Sequence, residues 1–423
     1  MTRMKDSGIE WIGEMPEEWG LKPIKYLVST PVTDGPHETP TLYDDGIPFL
    51  SAESVKNGIL DSRYKRGYIS ETAHKIFSRK VSPQKNDIFI VKSGATTGNV
   101  GIVTTDEIFD IWSPLALVRT RSDLANQKFI YYFMLSDAFT KQIQNKWSFG
   151  TQQNIGMGVI EKIKLVVPPL DEQTQIADFL DKKVTQLGKV KSLLEEQIKT
   201  LEDYRKSLIY ETVTKGLDKT VPLKDSGVDW IGQIPEGWEI RKIGSMYSER
   251  SEKVSDKDYP PLSVTKKGIL PQVEGVAKTD NGDNRKLVKK GDFVINSRSD
   301  RKGSSGIAKQ DGSVSLINIV LENSLRVNDL YYNFLFRSVL FAEEFYKWGN
   351  GIVADLWSTH WTAMKRIGIP VPPLKDQEEV SYFLEKRTTQ LDELIAIKQK
   401  QIENINKQRQ TLIYDYVTGK RRV

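Results

Sequence analysis

The sequence contains no cysteine. Disulfides, thiolate metal sites, iron–sulfur clusters and cysteine nucleophiles are therefore excluded. Histidine is nearly as scarce, with only His37, His74 and His360 in 423 residues. They are too far apart in sequence to suggest a histidine-rich metal centre, so no metal ligand is expected. No apolar run reaches the roughly 18 residues needed to span a bilayer. The opening Met1–Asp6 is followed by no signal-peptide core, and a cytoplasmic location is expected. Charge is not strongly of one sign either: 61 Lys and Arg oppose 56 Asp and Glu, for a net +5. A sum that small says little about nucleic acid, so the distribution of charge has to decide. With 38% hydrophobic and 28% charged residues, the composition suits packed cores beside a long solvated element. The length suggests two to three domains.

What is present is written twice. Lys5-Asp-Ser-Gly-Ile-Glu-Trp-Ile-Gly-Glu-Met-Pro-Glu-Glu-Trp19 returns as Lys224-Asp-Ser-Gly-Val-Asp-Trp-Ile-Gly-Gln-Ile-Pro-Glu-Gly-Trp238, with 10 of 15 positions identical. Pro168–Thr214 returns as Pro372–Thr418, with 18 identities over 47 positions. The segments between these blocks are not copies, yet they share landmarks. Asp87-Ile-Phe-Ile parallels Asp292-Phe-Val-Ile, Gly98 and Gly101 parallel Gly303 and Gly306, and Tyr131-Tyr132 parallel Tyr331-Tyr332. Two modules of one fold with different surfaces follow. The expected division is 1–167 and 218–371 for the modules, and 168–217 and 372–423 for the repeated blocks.

Each repeated block reads as a long helix. Val-Pro-Pro-Leu stops what precedes it, and Asp171 or Asp376 offers a capping carboxylate. In the first block a 4-3 spaced seam carries Leu180, Val184, Leu187, Leu194, Ile198, Leu201 and Leu208, with Lys191, Arg205 and Thr212 as its polar members. In the second it carries Leu384, Leu391, Ile395, Ile402, Ile405, Leu412 and Tyr416, with Thr388, Lys398 and Arg409. Other positions are mostly Lys, Glu and Gln, which is the pattern of a coiled-coil strand. Such a helix of about 43 residues is roughly 64 Å long. A compact module after it, with a radius of gyration near 15 Å, returns the chain close to where it entered. The second helix is therefore expected to run back antiparallel along the first, with a pseudo-twofold axis between the modules.

Inside the modules the period shortens. Ile88–Val91, Asn99–Val103 and Leu115–Val118 read as strands. Lys128–Lys146 and Leu330–Lys347 each read as one packed helix. The fold class is α+β or mixed α/β: two strand-rich globular domains and an antiparallel coiled coil of two long helices.

No catalytic constellation stands out, and neither catalytic nor cofactor-binding residues are assigned. Lys92-Ser-Gly-Ala-Thr-Thr-Gly-Asn99 lacks the Lys-Ser/Thr ending of a phosphate loop and reads first as a glycine turn between strands, second as a loop whose amides meet a DNA phosphate. The double prolines follow valine, so they lack the polar residue of an amino-methyltransferase motif. Asp181-Lys-Lys183 has nuclease-like spacing but reads as a solvated helix face. No glycine-rich strand–turn–helix unit for a cofactor is visible.

Signals for nucleic acid are better. The Gly-Pro loop Thr33–Pro40 carries His37. Arg63, Lys65 and Arg66 surround Tyr64, and Lys92, Ser93, Thr96 and Thr97 share the glycine turn. In the second module Asn296, Arg298, Arg301 and Lys302 fill one loop, and Lys266, Lys267 and Arg285-Lys286 add charge. Arginine and asparagine donate to base edges; serine and lysine meet the backbone. These residues are the DNA-contact candidates. Trp11, Trp19, Trp230 and Trp238 recur in both halves and are candidates for docking identical partners; the alternative is that they only pack each module onto the helices.

The D-S-G-x-x-W-I-G-x-x-P-x-x-W motif, the P-P-L-x-x-Q opening of each long helix and the duplicated layout resemble the DNA-specificity subunits of Type I restriction–modification systems. Gly46-Ile-Pro-Phe-Leu50, Lys92–Gly98 and Asp355-Leu-Trp357 before Met364-Lys365 fit the same family. The resemblance spans the whole chain. It implies two target-recognition domains that read the halves of a split, asymmetric site in double-stranded DNA, with the helices as spacer. It implies no chemistry in this chain. Two methyltransferase subunits using S-adenosylmethionine, and two ATP- and Mg-dependent restriction subunits, would be its partners. A stand-alone DNA methyltransferase or nuclease with fused recognition domains is the alternative.

Overall fold

The computed structural model describes residues 3–146, 148–149, 153–272, 282–351 and 357–423. Asp355 and Leu356 of the phrase ending at Trp357 lie outside them. The chain divides into two compact units, residues 1–194 with 400–423, and residues 195–399. Each contains one module and a stretch of both long helices.

In the first unit a six-stranded sheet has the order Thr33–Asp34, Leu115–Val118, Ile88–Val91, Val100–Ile102, Ile59–Leu60, Val55–Lys56. Its pairs are antiparallel except Val100–Ile102 with Ile59–Leu60. Strands Ile88–Val91 and Leu115–Val118 are buried at every position, because both faces are covered. Side chains alternate across a strand. Thus Ile88, Ile90, Ala116 and Val118 join the core beneath Phe129 and Phe133, while Phe89, Val91, Leu115 and Leu117 meet Leu50 and Ile111. Ile111 and Leu50 belong to a smaller sheet of Asp110–Ile111, Ile47–Leu50 and Gly67–Ile69. Gly101 permits the close strand approach: a Cβ there would lie 2.9 Å from the Ile59 carbonyl carbon.

The second unit repeats the frame. Tyr247–Glu249, Asn318–Asn323, Phe293–Asn296 and Ser305–Ile307 form an antiparallel four-stranded sheet in that order. Phe293, Ile295, Ile319 and Leu321 face an aromatic core with Tyr332, Phe336 and Phe341. Val294 and Val320 face the opposite way, onto Leu262, Val288 and Val314. Of the landmark pairs, residues 88–90 and 293–295, and Gly101 and Gly306, lie in matching strands, and Tyr131-Tyr132 and Tyr331-Tyr332 in matching helices.

Each helix expected as one element late in a module is two. Gln127–Met134 and Asp137–Gln144 are separated at Leu135–Ser136, and Asp329–Phe336 and Val339–Lys347 at Arg337–Ser338. Ser136 and Ser338 are extended (ψ 155° and 150°) and each opens a new helix. Ser338 caps its helix by accepting from the Phe341 amide at 3.3 Å. The apolar period runs through the break, which is why the sequence pattern alone hides it.

The long helices are Leu170–Lys215 and Leu374–Val417. Within the first unit, Phe179 packs on Tyr416 with ring centroids 4.5 Å apart and planes tilted by 35°, and Ile176 and Leu180 share a core with Ile413 and Val417. Within the second, Leu208 and Val213 share a core with Val380 and Leu384. There Arg205 approaches Asp392 at 3.3 Å, and Lys398 donates to Gln197 at 2.6 Å. Partners thus run in opposite directions in both units. The seam is visible in the burial. Leu180, Leu384 and Leu391 are buried, while Leu187, Leu194, Ile198, Leu201, Leu208, Ile395, Ile402, Ile405 and Leu412 are half-buried. Between the helix ends, Leu193 and Ile397 lie off the seam and are exposed, at 57% and 56%, whereas off-seam Ile176, Val213, Val380, Ile413 and Val417 near the ends are buried against the modules. No helix among the described residues is long and apolar enough to cross a membrane.

Candidate nucleic-acid interface

The repeated motifs build the joint between module and helix. Asp6 accepts from the Gly8 amide at 3.0 Å, and Asp225 does the same for Gly227. Both glycines have φ +69°, a conformation that a side chain disfavours. The turn leads to Trp19, whose Nε1 donates to Glu172 at 2.9 Å. Trp238 donates to Asp376 at the same distance. These carboxylates lie in the first helical turn, and they are engaged by indole. Gln173 and Gln377, both buried, complete the joint. Gln173 accepts from the Asn126 amide at 2.8 Å and donates to the Pro168 carbonyl at 2.9 Å; Gln377 does so for Asn328 at 2.9 Å and Pro372 at 2.8 Å.

This geometry corrects part of the docking assignment. Trp19 and Trp238 are 0% and 2% exposed; both are packing residues that seat each module on its helix. Trp230 is buried with its edge on Phe341 at 5.7 Å. Trp11 alone of the four is half-buried, with Lys141 over its ring at 4.9 Å. Asp181 is not a solvated face either. It accepts from Lys128 and, at 2.6 Å, from the Tyr132 hydroxyl, tying helix to module.

In the first unit the Gly-Pro loop begins at Asp34, which is fully buried. Lys80 reaches its carboxylate at 2.7 Å, Lys92 at 2.9 Å and His37 at 3.1 Å. Burial disfavours the ionised carboxylate, but hydrogen bonds from Lys80 and Lys92 outweigh it and hold the Asp34 pKa below its ordinary value. Lys92 is therefore committed to an internal ion pair rather than held out for DNA, a correction to its assignment. Thr97 is corrected too: buried, it donates to the Gly94 carbonyl at 2.6 Å and shapes the turn. Ser93 is half-buried and Thr96 exposed on that turn, which joins two antiparallel strands. Arg63 is clasped by Asp61 at 2.6 Å, yet its side chain is 80% exposed. Arg66 lies over the Trp112 ring at 4.3 Å and Lys65 over Tyr68 at 4.8 Å. Arg63, Lys65 and Arg66 thus form a basic and aromatic surface with exposed Tyr64. Near it, His74 Nδ1 lies 2.6 Å from Asp110, whose pKa is raised by burial.

In the second unit Thr265, Lys266, Asn296, Arg301, Ser304 and Asn318 line one open cavity of about 650 Å³. Lys266, Asn296 and Arg301, singled out by composition, converge there, and a fourth such residue, Arg285, is part of its lining. Lys267 is exposed beside Lys266, and Lys302 lies 3.5 Å from Glu343. Arg298 is held by Asp300 through two contacts of 2.9 Å, whereas Arg301 is 3.7 Å from Asp300 with its side chain 66% exposed. Arg285 is a correction. It borders the cavity but is only 6% exposed and donates to Ser313 Oγ at 2.9 Å and to its carbonyl at 3.0 Å. Burial lowers its pKa, and it braces the small sheet. Asn318 is a further polar residue of this cavity. It is 5% exposed, and its Oδ1 has no hydrogen-bond partner. The signal was an asparagine inside the apolar run Ile317-Asn-Ile-Val-Leu321. The Asn318 Nδ2 donates to the Ser315 carbonyl at 3.0 Å, so the amide is anchored in the wall of the cavity, and the exposed cations Lys266 and Arg301 are the groups there that can meet phosphates.

The sequence matches the Type I restriction modification DNA specificity domain twice, at residues 31–201 and 235–407. The chain belongs to that family. Among its relatives, a putative type I restriction enzyme MjaX specificity subunit from Methanocaldococcus jannaschii is 24% identical, over 97% of this chain and 96% of its own length. The MjaVIII specificity subunit of the same organism is 24% identical over 89% and 86%. A solved structure from a study of assembly and conformational transition in the type I system aligns over 95% of this chain and 98% of its own. Its TM-score is 0.69 at 14% identity. The HsdS subunit of Thermoanaerobacter tengcongensis aligns over 96% and 98%, with a TM-score of 0.51 at 14% identity. The specificity-subunit reading is the one these relatives support; the stand-alone enzyme is not.

Proposed function

We propose that this chain is the DNA-reading subunit of a type I restriction–modification enzyme and performs no chemistry itself. Each unit recognises one half of a split, asymmetric site, and the paired helices act as the spacer. Two methyltransferase subunits bring S-adenosylmethionine, and two restriction subunits bring the ATP- and Mg-dependent steps. The complex works in the cytoplasm. The observation that carries this reading is one strand frame used twice with different loops. Matching strands Ile88–Val91 and Phe293–Asn296 sit at the centre of both sheets, while the residues around them differ. Arg63, Lys65 and Arg66 serve one module; Asn296, Arg301 and Asn318 serve the other. A surface that reads two different half-sites has to differ between modules, whereas joints such as Trp19–Glu172 and Trp238–Asp376 do not.

The test is co-expression with the methyltransferase subunit, followed by sequencing of methylated positions in host DNA. One bipartite motif is expected. Methylation without a motif, or a contiguous site, would contradict the reading.

A further inference from the structure

The two joints differ in one respect. In the first unit Arg422 covers the joint: its guanidinium lies 5.1 Å from the Trp19 ring centroid and hydrogen-bonds both Glu172 and Glu18. In the second unit the matching place is a cavity of about 340 Å³. Gly237, Trp238, Asp376, Glu379, Asp218 and Lys215 are among the residues that line it. Trp238 and Asp376 match Trp19 and Glu172, with the same 2.9 Å indole contact. Glu18 is replaced by Gly237, which opens the space. Gln175 is replaced by Glu379, which restores a second carboxylate from another direction. The helices end alike, at Gly216 and Gly419 with φ +70° and +75°. After Gly419 comes Lys-Arg-Arg422; after Gly216 comes Leu-Asp-Lys219, and Lys219 is exposed.

We propose that this second-unit cavity receives an arginine side chain from another protein chain. The guanidinium rests against Trp238 and bridges Asp376 and Glu379, as Arg422 does with Trp19, Glu172 and Glu18. Three carboxylates, Asp218, Asp376 and Glu379, stand against the ammonium of Lys215 among the lining residues, with the exposed Lys375 3.7 Å from Glu379 as a second, so the cavity keeps an excess of negative charge and favours a cation. The planar fork of arginine suits an aromatic wall and paired carboxylates better than lysine does. That the arginine is carried by a methyltransferase subunit rests on the function proposed above; the cavity's preference for guanidinium does not.

The probe is an acetylated hexapeptide, Thr-Gly-Lys-Arg-Arg-Val, titrated against the full chain by calorimetry. One saturable site is expected. Replacing both arginines by citrulline should weaken binding at least tenfold. So should the double variant Asp376→Asn with Glu379→Gln, which keeps an acceptor for the Trp238 indole. Arg422→Ala should expose the first-unit site and raise the stoichiometry from one to two. Circular dichroism and DNA selectivity of each variant check folding. No saturable binding, or binding unchanged in the double variant, would overturn the proposal. Because DNA selectivity is read separately, failure here with a normal bipartite motif rejects only the arginine site.

Discussion

Gln173→Leu isolates what the joint contributes. Leucine has similar bulk, so the substitution mainly removes hydrogen bonds and leaves little cavity. The side chain is fully buried and serves the Asn126 amide at 2.8 Å, the Pro168 carbonyl at 2.9 Å and the Leu124 carbonyl at 3.3 Å. A buried donor or acceptor left unsatisfied costs about 1–3 kcal/mol. Counting one donor and one strong acceptor, less the gain from a more apolar side chain, the net loss is about 3 kcal/mol. For a unit of this size each kcal/mol lowers the melting temperature by about 2–4 °C. Scanning calorimetry of the full chain should show the first unit's transition falling by about 6–12 °C. The Asn126 amide should exchange hydrogen faster. A shift below about 2 °C with unchanged exchange at Asn126 would refute the view that this glutamine fastens the helix to its module.

Two further outcomes follow from the sites. Arg301→Ala should cost about 1–3 kcal/mol of DNA affinity and relax one base position if the side chain reads a base edge; equal loss on all sequences would make it a phosphate contact. The Asp34 pKa is lowered in the folded chain, so its ion pairs stabilise the first unit above the unfolded value near 3.8 and are lost as pH falls through the folded one. Asp34→Asn should therefore be less stable at pH 7 but lose less stability on acidification than the parent, followed by denaturant unfolding at several pH values; parallel pH profiles would contradict the ion-pair assignment.

Legibility in the sequence tracked how local each determinant is. Leu115–Val118 was readable because an apolar run between turn residues is a local signal, and all four positions are buried. The helix seam was readable for the same reason, down to the exposure of Leu193 and Ile397 outside it. The break at Ser136 was not, since serine is tolerated inside helices and only the tertiary packing turns it into a new start. Arg285 looked like a DNA arginine because its partner, Ser313, is 28 positions away. Lys92 is hidden in the same way: Asp34 comes to it through strand pairing across the sheet. The repeated tryptophans carried two meanings in sequence, and only their burial separated packing from docking. Asn318 was overlooked because an isolated polar residue in a strand is ordinarily satisfied, and its orphaned oxygen is visible only in three dimensions.

The central claim is that two independent readers sit in one chain. Exchange of Leu21–Val167 for the matching segment of a relative, with sequencing of methylated DNA from a host expressing the complete enzyme, tests it most directly. One half of the bipartite motif should change while the other half stays as it was. A change in both halves, or in neither, would contradict the account.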